Sequence, residues 1–287
     1  MGLSEGKRTI LDSMIFQKYQ ESLVFGALAN REYEQRAGGQ LEKNETVKIL
    51  EVEDLSASSY SGTCTFTDVD AAAFELKVDQ SYYVAKKQDD LEKLFNNEQL
   101  RSQLVSKIGQ ALGDQVDTSL AGLYSSAGNT YGNDTTAIAL TAALTVSNVT
   151  LATQALKENN VTDMNNIVAV VPPWFESKLK QAGVKWDTNN SDLMVNGRIG
   201  RFLGVDFYVS NNIQRKAGQT GGKFNKIMFF VRNNTIALAE YLTPFEEMRL
   251  EAEFGVGWRQ MVIYGTKVVR PSSLYCLTAT ETAETTI

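Results

Sequence analysis

The chain has 287 residues, of which 43% are apolar and 22% are charged, and these fractions are typical of folded globular proteins. They exclude a wholly disordered chain, a collagen and a helical membrane protein. A total of 34 acidic and 28 basic residues gives a net charge of -6, which argues against a protein that grips nucleic-acid backbones over a broad surface.

The sequence contains no histidine. This excludes Ser-His-Asp and Cys-His nucleophilic sites, HExxH zinc helices and histidine proton shuttles. The two cysteines, Cys64 and Cys276, are too far apart for a CxxC motif or a zinc knuckle. We expect two reduced and mostly buried thiols, although a long-range disulfide stays open. The N-terminus does not resemble a signal peptide and no apolar stretch could span a bilayer, so we expect a chain folded in a cytosol.

The first predicted element is an amphipathic helix over residues 8–36. Apolar side chains recur there at spacings of three and four, and the following Gly38-Gly39 pair is a typical stop signal. The periodicity has two interpretations. The helix either packs on its own domain, which we favour from periodicity alone, or forms an arm that reaches a neighbouring subunit.

Alternating strands are predicted between residues 46 and 79. The middle of this segment, residues 56–67, is rich in Ser and Thr and carries few large apolar side chains. A long hairpin of this kind is marginal unless another surface covers it, which hints at an oligomer. A hairpin lying on its own domain explains the pattern equally well.

The strongest helical pattern covers residues 96–124, where an apolar stripe runs for about 40 Å and Asn96 with Gln99 fits an N-cap and its partner. A loop over 128–133 and a helix over 147–158 are predicted next. The apolar run at 167–171 predicts a strand buried on both faces. Further elements are a helix from Pro173 to the stop at Gly183 and strands at 195–213, 226–232, 236–242, 247–254 and 259–269. The fold class is therefore α+β with mixed sheets.

Two short patterns begin like ligand sites but lack the required residues. Gly222-Lys223 ends like a phosphate-binding loop, but Ala217 and Phe224 replace its glycine and its Ser or Thr. Asp68-Val69-Asp70 begins like a calcium loop, but Ala72 and Ala73 occupy positions for ligands and the turn glycine. We read the first as a mobile loop between strands and the second as a solvated turn. The glycines of residues 197–204 predict tight turns between strands.

Three carboxylate pairs are candidates for acid–base chemistry: Asp89-Asp90, Glu246-Glu247 and Glu251 with Glu253. We interpret the first as charge at a helix N-terminus and the last as the solvated face of a strand. Without histidine, a paired motif or a cofactor loop, the sequence predicts no catalytic residue, no cofactor-binding residue, no metal ligand and no enzyme.

The order of elements and three local patterns resemble the major capsid proteins of tailed bacteriophages, whose Hong-Kong-97-type fold is shared with bacterial encapsulin shells. The patterns are the strand, Pro-Pro-Trp and helix of 167–183, the glycine turns and strand ending in Ser-Asn-Asn at 197–212, and Tyr264–Pro271. The order of elements extends this resemblance over nearly the whole chain.

The resemblance implies five parts. They are an N-terminal arm at 1–36, an extended β-hairpin or E-loop at 46–79, a peripheral (P) domain with a long spine helix at 37–45, 80–145 and 243–262, an axial (A) α/β domain at 146–242 and 263–278, and a C-terminal tail at 279–287. In this family the arm and the hairpin lie across neighbouring subunits, which would cover surfaces that they cannot bury themselves.

The implied function is a structural protein that self-assembles through hexamers and pentamers into an icosahedral shell around phage double-stranded DNA. The implied partners are other copies of the chain, a portal, a separate scaffolding protein or none (no long scaffolding segment precedes the arm), a possible decoration protein and DNA held by weak contacts. The implied location is the virion, after assembly in the host bacterial cytoplasm. No cofactor or membrane partner is expected.

Two alternatives stay open at the level of sequence. The nearer is an encapsulin-type compartment of the same fold, against which the free helical arm and long hairpin argue mildly. The more distant is an α/β enzyme or binding domain with a concave polar pocket. Some family members cross-link Lys to Asn between subunits; Lys43, Lys48 and Lys77 with Asn233 or Asn234 offer those residue types, but we predict no cross-link.

Overall fold

A computed structural model describes residues 5–32, 43–52, 57, 59–60, 62, 71–89, 98–133, 135, 138–161, 163–181, 201–217, 223–251 and 255–281. Its helices are α1 (Glu5–Ser22), α2 (Glu98–Ala121), α3 (Ala142–Glu158) and α4 (Pro173–Gln181). Its strands are β1 (Thr46–Val52), β2 (Ala71–Lys77), β3 (Gln80–Asp89), β4 (Asn129–Tyr131), β5 (Ile138–Leu140), β6 (Ile167–Val171), β7 (Arg201–Phe202), β8 (Val205–Val209), β9 (Arg215–Ala217), β10 (Lys223–Val231), β11 (Ile236–Leu242), β12 (Glu246–Arg249), β13 (Gly255–Val268) and β14 (Leu274–Glu281).

The larger sheet has mixed pairing and is covered by helices. Its strand order is β4-β14-β10-β6-β8-β7, with β5 beside β14 and β9 beside β10. All five residues of β6 are buried, as expected for an apolar strand in the middle of a sheet. The helices α3 and α4 bury Val149, Leu156, Phe175 and Leu179 in the same cluster as alternate residues of β6 and β10.

The second sheet has β13 at its centre and is antiparallel throughout. The strand β3 pairs with β13 over Gln80–Asp89, while β11 and β12 pair with successive parts of the other edge of β13. Its inner face buries Trp258, Val262 and Tyr264 in one cluster with Val105, Ile108 and Leu112 of α2. The long helix α2 therefore lies along this sheet as its packing partner.

The helix α1 packs closely on α2 of its own chain. A side chain at Gly109 would bring Cβ to 2.6 Å from the backbone oxygen of Ile15, and one at Gly113 would overlap Ser22. Ile15 and Tyr19 are buried in the cluster that α2 forms with the second sheet. The expectation that the arm cannot bury itself is therefore wrong for this part of the arm, and packing on its own domain is confirmed.

Several predicted boundaries differ from the structure. The first helix ends at Ser22, because residues 23–29 turn inward and bury Leu23, Phe25 and Leu28. The predicted loop over 128–133 contains β4, which pairs with β14. The predicted last strand near 263–278 is two strands, since the chain leaves β13 after Val268 and makes a 3-10 turn at Pro271–Ser273 before β14. The stops at Gly38-Gly39 and Gly183 and the cap at Asn96 lie outside the described residues.

Candidate interaction surfaces

The segment after α1 is held by a buried carboxylate on α2. Asp117 is completely buried and accepts hydrogen bonds from the backbone N–H groups of Val24 (2.7 Å) and Gly26 (3.0 Å). Burial raises the pKa of Asp117 to about 6, although the backbone hydrogen bonds from residues 24–26 oppose this rise. The carboxylate thus fixes the point at which the helix ends and the chain turns.

The same segment then joins the edge of β11. Asn30 donates its N–H to the carbonyl oxygen of Ile236 (2.7 Å) and accepts from the N–H of Leu238 (3.0 Å). Glu240, on the same strand, accepts from the hydroxyl of Tyr19 and pairs with the guanidinium of Arg31. Residues 5–32 are therefore tied both to α2 and to the second sheet.

The base of the hairpin rests on the outer face of the second sheet. We use "outer face" for the face of β13 that carries Gly257, Arg259, Met261, Ile263 and Gly265, since alternate residues of a strand share a face. Val47, Ile49, Leu76 and Val78 of the hairpin form a buried cluster with Ala237, Ala239, Ile263 and Val269. Gly265 permits this contact, because a side chain there would overlap the backbone oxygen of Lys77.

The other end of the outer face is open and forms a groove. Its volume is about 750 Å³, and Gly257 leaves room there beneath Leu250 and Met248. A second cavity of about 500 Å³ adjoins it, since Ala85 and Arg259 line both. Met248, which lines the groove, is exposed by 38%, and Tyr83, which lines the second cavity, is exposed by 73%. An apolar groove with exposed aromatic and Met side chains is typical of a protein-binding surface.

The cations of this region surround the groove. Lys86, Lys87, Arg249 and Arg259 all line it, and Glu251 is the carboxylate among its described lining residues. Glu246 of β12 pairs with Arg259 at 2.6 Å. Sequence reasoning missed this groove, because its residues come from strands separated by about 160 positions.

Other exposed apolar side chains lie on two helices and in one turn. Ile10 and Phe16 are exposed on α1 by 61% and 48%, and Leu144 and Leu151 are exposed on one face of α3. Leu203 is exposed in the two-residue turn between β7 and β8, where Leu203 and Gly204 both have positive φ (51° and 82°). This turn confirms part of the tight turns predicted from the glycines of 197–204; residues 197–200 lie outside the described part.

The polar motifs of the sequence are not brought together. Asp89 is the last residue of β3, and because residues 90–97 lie outside the described part, the interpretation of Asp89-Asp90 as helix N-terminal charge stays a prediction. Glu251 follows the end of β12 rather than lying on a strand face. Lys223 is the first residue of β10. Cys276 is buried in β14. Cys64, Asp68, Asp70, Asp90, Glu253 and 218–222 lie outside the described residues.

The described ranges hold neither a metal-like cluster nor a membrane helix. No group of three or more Cys, Asp or Glu side chains there could hold a metal ion. No helix among these residues is both long and apolar enough to cross a bilayer. A polar cavity of about 450 Å³ lies beside β4 and β14, where buried Lys226 donates to Thr278 (3.0 Å) and lies over the ring of Tyr124.

Comparisons with known proteins agree on one family. A sequence model described as phage capsid protein matches residues 85–277, about two thirds of the chain. A search of curated proteins gives no match. Among solved structures, one from Mycobacterium phage Che8 has a TM-score of 0.70 at 22% identity over 89% of this chain and 90% of that one.

Two further capsid structures have the same fold. The capsid of Ralstonia phage GP4 has a TM-score of 0.63 at 12% identity and covers 88% of this chain and 86% of that one. The capsid of cyanophage P-SCSP1u has a TM-score of 0.60 at 16% identity over 91% and 89%. These structures confirm the predicted α+β fold class, and the family model favours a phage capsid protein over an encapsulin.

Proposed function

Because the chain belongs to the phage capsid protein family, we propose that it assembles through hexamers and pentamers into an icosahedral shell that encloses double-stranded DNA. It is a major capsid protein, a structural component of the virion built from many copies of itself. The proposal adds the geometry of the shell, its DNA content and a role that is structural only.

The observation that carries this proposal is the placement of the hairpin. Its base is anchored on the sheet of its own subunit through the Val47, Ile49 and Ile263 cluster. The resemblance implies that the rest of the hairpin crosses to a neighbouring subunit. Each subunit would then offer one contact and receive another, which is the arrangement that closes rings of identical subunits.

We propose the domain organisation that the resemblance implies, with one change at the border of the A and P domains. The arm and the hairpin keep their sequence boundaries. The hydrogen-bonded pairing of β11 (Ile236–Leu242) with residues 262–268 of β13 supports assigning residues 236–242 and 263–268 to the P domain instead of the A domain. The P domain then contains α2 and all four strands of the second sheet.

The proposed partners beyond other copies are a portal, a separate scaffolding protein or none, and a decoration protein. The net charge of -6 supports weak contacts with DNA, since a strongly basic lining would hold phosphates tightly and hinder packaging and release. We propose assembly in the host cytoplasm.

The test is to express the chain alone and then with its genomic neighbours, and to examine both by negative-stain microscopy and light scattering. We expect closed shells, or capsomers of five or six subunits. Particles that enclose DNA would support the viral shell, and particles loaded with enzyme would support an encapsulin. A monomer in both conditions would refute assembly and return attention to the polar cavities as binding sites.

A further inference from the structure

The polar cavity beside β4 and β14 has a buried floor and an open rim. Its volume of about 450 Å³ lies within the range of about 300–1,000 Å³ that is usual for small-molecule sites. The floor is formed by Lys226, Cys276 and Thr278, which are each exposed by 3% or less. The rim carries exposed hydroxyl and amide groups at Ser125, Thr130, Asn133 and Thr135.

Strand pairing brings these residues together. Lys226 of β10 lies opposite Thr278 of β14, and Cys276 lies opposite Thr130 of β4. Residues 276 and 278 are two positions apart on one strand and therefore share a face of the sheet. The 3-10 turn that follows α2 adds Tyr124 to the lining. The cavity thus lies where the end of the long helix meets the larger sheet.

The floor of the cavity carries positive charge. Lysine is rarely buried to this extent, because removal of its ammonium group from water is costly. The Nζ atom of Lys226 donates to the hydroxyl of Thr278 at 3.0 Å and lies 5.1 Å from the centre of the Tyr124 ring. These two contacts orient the ammonium group without cancelling its charge. None of the nine described residues that line the cavity is acidic.

The rim supplies hydrogen-bond donors. The side-chain oxygen of Asn133 accepts from the N–H (2.9 Å) and the hydroxyl (2.6 Å) of Thr135, so the other polar group of the Asn133 side chain is a donating NH₂. Ser125 and Thr130 add hydroxyl groups, which donate as well as accept. A ligand with several negatively charged oxygens therefore matches both the floor and the rim.

We infer that this cavity binds a phosphate-type oxyanion, with the ammonium group of Lys226 beneath it and the donors of the rim around its outer oxygens. Hydrogen bonds between an ammonium group and a charged oxygen are among the strongest in proteins, and their attraction grows where water is excluded. Free inorganic phosphate and the phosphate groups of nucleic acid offer the same chemistry. A bound oxyanion would join the turn after α2 to β4, β10 and β14 and so stabilise the subunit.

Titration calorimetry of the full chain with inorganic phosphate, at constant ionic strength, tests this inference. Lys226→Met removes the ammonium group and keeps an unbranched apolar side chain at the floor. Thr130→Val removes one hydroxyl group at the exposed rim, where a change in folding is not expected. The matched control is Lys157→Met, which removes one positive charge at an exposed position of α3. Circular dichroism establishes that each variant is folded.

We expect saturable binding of phosphate to the wild type and to the control. Affinity should fall about tenfold or more in Lys226→Met, because a charged hydrogen bond is lost, and about threefold in Thr130→Val, because a neutral one is lost. Phosphate at about twenty times its Kd should also raise the Tm of the wild type by about 2–4 °C. Chloride at the same ionic strength should give no such rise.

A short DNA duplex without terminal phosphates distinguishes the two sources of the oxyanion. Weaker DNA binding by Lys226→Met would assign the cavity to a backbone phosphate, and equal DNA binding by the two proteins would assign it to the free ion. The inference is overturned if the wild type shows no saturable phosphate binding, or if Lys226→Met binds phosphate as tightly as the wild type. Should Lys226→Met not fold, an unchanged phosphate affinity in Thr130→Val would overturn it instead. These readouts do not depend on whether the chain forms shells.

Discussion

The close contact between α1 and α2 predicts that alanine at Gly109 destabilises the subunit. In an exposed helix, Gly→Ala would stabilise by about 1 kcal/mol because alanine has the higher helix propensity. At Gly109, however, the new Cβ would lie 2.6 Å from the backbone oxygen of Ile15 and 3.1 Å from the backbone nitrogen of Tyr19. Neither atom can move unless the whole of α1 moves.

The expected loss of unfolding free energy depends on the side chains that α1 buries and on the cost of the clash. Ile15 and Tyr19 are nearly fully buried, and burial of each such side chain contributes about 1.5–3 kcal/mol. Overpacking of a tight contact costs about 1–3 kcal/mol, and we take the upper part of that range, about 2–3 kcal/mol, because the clash at Gly109 is with backbone atoms. After subtraction of the propensity gain of about 1 kcal/mol, we expect Gly109→Ala to lower the free energy of unfolding by about 1–2 kcal/mol.

The assay is urea unfolding followed by circular dichroism, with Gly122→Ala as control. Gly122 lies in the 3-10 turn after α2, and a Cβ there would meet nothing within 4 Å. Gly109→Ala should lower the free energy of unfolding, whereas Gly122→Ala should leave it unchanged or raise it slightly. A Gly109→Ala variant that is as stable as the wild type, or more stable, would refute the close packing of α1 on α2.

Three more predictions test other parts of the structure. Asp117→Ala leaves the N–H groups of Val24 and Gly26 without their acceptor, and we expect a loss of about 2 kcal/mol in urea unfolding. The pKa of Asp117 rises from 3.8 to about 6 on folding, so the unfolding free energy should fall by about 3 kcal/mol as pH rises from below 4 to 7. That part of the pH dependence should be absent from Asp117→Asn, and an identical profile for the two proteins would contradict the raised pKa. Gly265→Ala should displace the base of the hairpin from the sheet, which would appear as faster proteolysis of residues 46–79 and lost shell yield in a folded subunit; Gly122→Ala again serves as control, and unchanged proteolysis would argue against the contact with Lys77.

The elements that could be predicted are those whose signal is local. The strand at 167–171 and the strand at 236–242 were predicted with the bounds that the structure has, because each is an apolar run between turn residues. The long helix was predicted within a few residues for the same reason: its apolar stripe is continuous from Leu104 to Leu120.

The elements that were missed depend on distant contacts. The first helix was extended past Ser22 because Leu23, Phe25 and Leu28 continue an apolar pattern, but these side chains are placed by a turn that Asp117 holds from 91 or more positions away. Short strands such as β4 and β9 exist only through pairing with β14 and β10.

The groove was not accessible to sequence reasoning. Finding it requires knowing that Lys87, Gly257 and Met248 are neighbours across three strands. Likewise, no sequence pattern shows that the glycines at 109, 113 and 265 are contact points, since their meaning lies in the atoms that would meet a Cβ.

The hairpin base and the groove occupy opposite ends of one face of β13, and this separation has a consequence for how substitutions combine. Gly257 lines the groove and Gly265 lies under the hairpin base, eight residues along the same strand. At about 3.3 Å per residue they are roughly 26 Å apart. Effects at sites separated by more than about 7–10 Å usually add. Losses of unfolding free energy caused by substitutions at the two ends should therefore be additive.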